Sequence, residues 1–124
     1  MINPQQLIHD LTLLGRAFGS VSRGSNRSAI EKILNDASEQ SFLNNPWFIP
    51  SFVRFAFSAW ANALEEEKIA KWINEYNTGD DRVKEPATVG LIMAGNIPMV
   101  GFHDLICVLA SGHRARHGSD EPGQ

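Results

Sequence analysis

The chain has 124 residues, 43% of them hydrophobic and 20% charged, with a formal net charge of −3 and a single cysteine. That size holds one domain at most, the acidic balance argues against a nucleic-acid partner, and one thiol excludes an intrachain disulfide or a cysteine-based zinc cluster. The first residues lack a basic segment followed by an apolar one, and no uncharged apolar run reaches the ~20 residues of a bilayer span, so a cytoplasmic protein without a membrane span is expected.

Asn3-Pro4-Gln5-Gln6 reads as a helix start. Asn3 can cap, Pro4 fits the first turn, and Gln6 stands at the capping-box position. Leu7, Leu11, Leu14 and Phe18 then mark one helical face, and Gly19 is the expected end of the run. Ser20 to Arg27 reads as a loop. Ser28-Ala-Ile-Glu31 is a second capping-box pattern, opening a short helix whose apolar face is Ile30, Ile33, Leu34 and Ala37.

From Phe42 to Pro50 two prolines flank Trp47 and Phe48. Proline donates no backbone hydrogen bond, so a loop is expected there, with both aromatics plugging back onto the helices. From Ser51 the pattern is helical again, with Val53, Phe57, Trp60 and Leu64 on one stripe. Glu65-Glu-Glu-Lys68 suits a helix N-terminus, and the face that follows is Ile69, Trp72, Ile73 and Tyr76. Thr78 to Asp81 reads as a turn.

The stretch from Val89 to Gly112 parses differently. Val89 to Met93 is too short for a typical helix and is bounded by glycine, which fits a buried strand. Ala94-Gly95-Asn96 is a turn, and Pro98 opens a helix that closes at Ser111-Gly112. Two physical difficulties follow. A lone strand leaves backbone groups unpaired, and no second strand is evident. The helix is apolar nearly all round, from Met99 through Leu109, which calls for burial on every side. Both features suggest that part of the fold lies elsewhere, and that residues 98–111 offer a surface for self-association.

Several side chains could carry chemistry. Asn96 lies between a strand's carboxyl end and a helix N-terminus, the crevice where ligands bind in open α/β sheets. Its amide could stabilise an oxyanion, although an asparagine before a helix is more often only a cap. Cys107, in mid-helix, reads as a small packed hydrophobe. His103 and Asp104 are adjacent, so their side chains diverge, and His103 reads as a hydrogen-bonded core or edge histidine. His113 and His117 stand four apart, in a polar tail with no third ligand in view, so no metal site is expected.

The run from Val89 to Asp104, with Val108-Leu-Ala-Ser-Gly-His113, resembles the acyl-CoA reductase family typified by the bioluminescence fatty-acid reductase subunit, within the aldehyde dehydrogenase superfamily. Asn45 to Pro50 and the region from Glu65 to Trp72 also look like that family's helical N-terminal part, so the likeness spans about residues 1–113. Asn96-Ile97-Pro98 looks like the superfamily's Asn-Phe-Pro turn. The resemblance implies NADPH-dependent reduction of a long-chain acyl group, carried on CoA or on a protein, to a fatty aldehyde through an enzyme thioester. It implies that the Asn96 amide supports the oxyanion. It also implies that Ile92, Met93, Ala94 and Gly95 run beside the nicotinamide ribose. Two departures stand out. Cys107 does not match the family's nucleophile, which lies beyond residue 124. Arg114 to Gln124 also lacks the apolar strand and the lysine that the family carries there.

The expected architecture is therefore mainly α with one β–α unit. A helical N-terminal region (1–81) leads into the first strand–turn–helix (82–113) of a truncated aldehyde-dehydrogenase-like, Rossmann-type domain, and a disordered polar tail follows (114–124). Three functions compete: an N-terminal acyl-CoA reductase fragment that is inactive alone, a non-catalytic helical interaction module, and a small helical binding protein for which everything after Asp81 is dispensable.

Overall fold

The structure, a computed structural model, describes residues 3–76, 85–92, 99 and 101–117. Four helices come first: α1 (Pro4–Ser22), α2 (Ala29–Asn44), α3 (Pro50–Ala63) and α4 (Glu66–Tyr76). Strand β1 (Thr88–Leu91), helix α5 (Phe102–Ser111) and strand β2 (Arg114–His117) follow. The chain is mainly helical, as its sequence implies, with one small two-stranded parallel sheet.

Helix α1 starts where Asn3 and Pro4 predict, with Asn3 Oδ1 accepting the Gln6 N–H at 2.7 Å. The Gln6 side chain does not complete a capping box; it donates to Asp10 Oδ1 at 2.9 Å instead. The helix runs past its predicted end. Gly19 is buried inside α1, and the positive φ of 90° that helps turn the chain falls on Gly24. Gly15 and Gly19 are packing glycines: a Cβ on Gly15 would stand 2.7 Å from Leu64 Cβ, and one on Gly19 3.4 Å from Ala61 Cβ. Bare backbone at Gly15 lets the α3–α4 corner lie against α1.

The core gathers Leu7, Leu11 and Phe18 of α1, Val53 and Phe57 of α3 with Leu64 at its C-cap, Ile69 and Ile73 of α4, and Ile106 and Ala110 of α5. Ile73 is 0% exposed and Leu64 1%. Phe18 stacks on Phe57 with ring centroids 5.0 Å apart. Helix α2 differs from its expectation. The Ser28 capping box forms in both directions, but the helix extends to Asn44 and buries no residue fully. Of its predicted apolar face, Leu34 packs against the core while Ile33 is 66% exposed. In the turn that follows, Phe48 packs inward as expected and Trp47 stays 69% exposed.

Strand β1 corresponds to the predicted strand, but it is not alone. Residues Arg114–His117, expected as disordered tail, form β2 and pair with it in parallel, Thr88 opposite Arg114 and Leu91 opposite His117. A parallel pair needs a crossover, and α5 supplies it. Charge hid this strand. Arg114 and Arg116 face solvent while Ala115 turns half-inward, the alternation of a sheet edge that charged residues protect from further pairing. Helix α5 is also less enclosed than full burial would require: Ile106 and Ala110 are buried, while Leu105, Cys107, Val108 and Leu109 are half-buried.

Candidate functional site

The predicted ligand crevice lies between the carboxyl end of β1 and the start of α5. Helix α5 is held there by its first residue. The Phe102 ring meets Trp60 edge-on with centroids at 4.7 Å and Phe18 at 5.7 Å. It thus ties α5 to both α3 and α1. The helix begins at Phe102 rather than Pro98, and its N-cap is Gly101, with no side-chain cap bond. The N-cap position of α5 therefore falls to Gly101. Just before it, Met99 has φ of 59°, the left-handed region that a non-glycine residue enters at a cost. The Met99 side chain packs against the core, and its carbonyl accepts the Phe102 N–H at 3.1 Å, which holds that conformation.

Of the residues assigned to this crevice by resemblance, Ile92 is described and is 99% exposed. Met93, Ala94, Gly95 and Asn96 lie outside the described residues. At the opposite, amino-terminal end of the sheet, the Ala87 N–H donates to His113 Nδ1 at 3.0 Å and the Arg114 N–H to the Ala87 carbonyl at 2.9 Å. His113 is thus a clamp on the strand pair rather than part of a solvated tail. His117, expected in that tail, lies in β2.

A second constellation was missed by the sequence reading. His103 and Cys107, one turn apart on α5, approach to 3.7 Å between Nδ1 and Sγ. They line a cleft of about 370 Å³ with Trp72, Ile73 and Ala110. The indole of Trp72 lies 6.3 Å from the His103 ring and that of Trp60 lies 6.5 Å away. Burial pushes the Cys107 thiol up, and the negative charge of Asp104 pushes it further in the same direction. A thiol held in its neutral form is a poor nucleophile, which agrees with excluding Cys107 from catalysis. The i, i+4 interval was the signal that could have paired the two side chains.

A larger crevice, about 720 Å³, lies away from both places, between α1 and the α3–α4 corner. It is the open gap beside Gly15 and Gly19 and carries both signs of charge, Arg16 and Arg23 facing Glu65 and Glu66. That mixture selects neither anions nor cations.

Comparison with protein-family models, with curated proteins and with solved structures returned no match. Among the described residues no helix is long and apolar enough to cross a membrane.

Proposed function

We propose that this chain carries the N-terminal part of an acyl-CoA reductase of the aldehyde dehydrogenase superfamily, with residues 88–117 opening its NADPH-binding layer. The observation that supports it most is the parallel unit of β1, α5 and β2. In such sheets ligands bind outside the carboxyl ends of the strands, and Ile92 stands open at that end. Parallel sheets are ordinarily covered on both faces, whereas Thr88 and Gly90 face solvent, as expected of a layer completed by further polypeptide.

In this function Ile92, Met93, Ala94 and Gly95 lie along the nicotinamide ribose, and the small residues Ala94 and Gly95 allow close approach of the backbone. The Asn96 amide donates to the developing oxyanion of the acyl group. NADPH would supply the hydride, and the acyl donor is a thioester of CoA or of a protein. By the resemblance the nucleophile is a cysteine outside residues 1–124, so the chain alone is inactive. NADPH titration followed by amide exchange tests this. Exchange should slow at Leu91 and Ile92. Unaltered exchange up to millimolar NADPH overturns the proposal, and steady acyl-CoA reduction by the purified chain overturns the inactivity of the chain alone.

A second function, an interaction module, is favoured by a different observation. Ile33 and Leu43 of α2, Trp47 in the turn, and Phe52 and Phe55 of α3 are each more than half exposed. Exposed apolar groups in this number mark a contact surface. They lie on α2 and α3, not on the 98–111 helix where self-association was expected. Size-exclusion chromatography with hydrophobic-dye binding discriminates: a dye-silent monomer removes this second function.

A further inference from the structure

We infer that the apolar face at the α2–α3 corner docks a second copy of this chain, with the two α3 helices antiparallel across a two-fold axis. The inference rests on the interaction-module function and names its partner. Phe52, Phe55 and Ala59 stand at spacings of three and four along α3, and all three are exposed. Such a stripe is the face that a helix buries against a neighbour. Leu43 in the last turn of α2 and Trp47 in the connecting turn are exposed beside the start of α3. The turn itself is fixed. Asn45 Oδ1 accepts the Trp47 N–H at 3.1 Å, and the Asn45 carbonyl accepts the Phe48 N–H at 3.0 Å. That geometry sends Phe48 into the core and holds Trp47 outward, so little order has to be gained on docking.

Area argues for a stable partner. An aromatic side chain presents about 150–250 Å². At exposures of 69%, 56% and 76%, Trp47, Phe52 and Phe55 together offer roughly 300–500 Å². Phe42 and Leu43, at 41% and 73%, enlarge the face. A standard interface buries about 800 Å² on each partner, and in a homodimer about 65% of it is apolar. The requirement is thus roughly 500 Å² of apolar surface per chain, which this face meets. Charge decides which partner. Glu39 precedes Leu43 by one turn of α2, and Arg54 adjoins Phe55 on α3. Both are exposed, and neither has an ion pair among the described residues. A two-fold axis sets a surface against its own copy, so that residue i meets j and j meets i. An acid on α2 and a base on α3 then pair twice, Glu39 of each chain with Arg54 of the other. A rim of one sign would instead repel its own copy.

Sedimentation velocity of the full chain, from submicromolar to submillimolar concentration, tests this. A species of twice the 13.7 kDa chain mass is expected, with a dissociation constant on the order of 10 µM. Well below that concentration the protomer stands alone, and urea unfolding of surface variants reads the protomer's own stability. Phe55→Arg should weaken association by more than about 10-fold. Glu39→Arg and Arg54→Glu should each weaken it, and the two combined should restore it. Leu13→Arg, at an exposed residue of α1, should leave it unchanged. Far-UV circular dichroism on each variant shows that the helices persist. A chain that stays monomeric yet binds a hydrophobic dye overturns the second copy while leaving a contact surface, whereas a dye-silent monomer removes the interaction-module function too. A dimer that Phe55→Arg does not weaken, or that the exchanged charges do not recover, also overturns the inference.

Discussion

Replacing Gly15 with alanine puts a methyl group 2.7 Å from Leu64 Cβ and 3.3 Å from the Leu64 carbonyl oxygen. Carbon atoms prefer separations of about 3.5–4.0 Å, so the contact is short by nearly 1 Å. Neither neighbour can swing away. One is backbone, and the other is the first side-chain atom of a residue 1% exposed. The helices must therefore move apart, and overpacking of this kind costs about 1–3 kcal/mol. Alanine in a helix interior recovers roughly 0.5–1 kcal/mol relative to glycine. The expected net loss is about 1 kcal/mol and at most about 2.5 kcal/mol, the clash outweighing the propensity gain. Gly19→Ala, one turn along, is the control. Its added methyl meets Ala61 Cβ at an ordinary 3.4 Å and otherwise only the far end of the exposed Arg23 side chain. There the propensity gain should win, stabilising by up to about 1 kcal/mol. Urea unfolding followed by tryptophan fluorescence measures both, and an unchanged m-value shows that stability itself moved. If Gly15→Ala is as stable as the parent chain, or if both variants lose equally, the close approach at Leu64 is not what glycine provides.

Three further substitutions probe the core, the surface and the second cap. Phe57→Ala removes a buried ring stacked on Phe18 and should cost about 3–5 kcal/mol, whereas Phe55→Ala, at a residue 76% exposed, should stay within about 0.5 kcal/mol in the same urea assay. The Ser25 hydroxyl, then the Arg27 N–H, hold the Glu31 carboxyl below the usual carboxylate range. Its folded value lies below its unfolded one. The associated stability is thus fully present above the unfolded value and is lost as pH falls through the folded one. Glu31→Gln should remove that part of the acid limb in a pH series of unfolding curves; an unaltered limb would show that the capping carboxylate is not titrating there.

The helical part was legible to different depths. Asn3-Pro4 and Ser28-Ala-Ile-Glu31 marked two helix starts because capping is a local interaction, decided within four residues. The stripes of α3 and α4 identified Val53, Phe57, Ile69 and Ile73 as core because their period leaves one face to bury. The end of α1 was misplaced. Glycine weakens a helix locally, but the gain from docking the α3–α4 corner on α1 at Gly15 outweighs that weakness, and no local signal carries it. The outward face of α2 was misjudged for a similar reason, since periodicity shows that a face is apolar and not whether anything covers it.

The chain's own order of residues determined that a strand and an apolar helix follow a helical region, because hydrophobic period, proline and glycine act at short range. Only the tertiary structure decided that Arg114–His117 joins Thr88–Leu91. Strand pairing is a contact across 26 residues, stabilised by backbone hydrogen bonds that do not depend on side-chain polarity, so a run of arginines and histidine can enter a sheet that its composition disfavours.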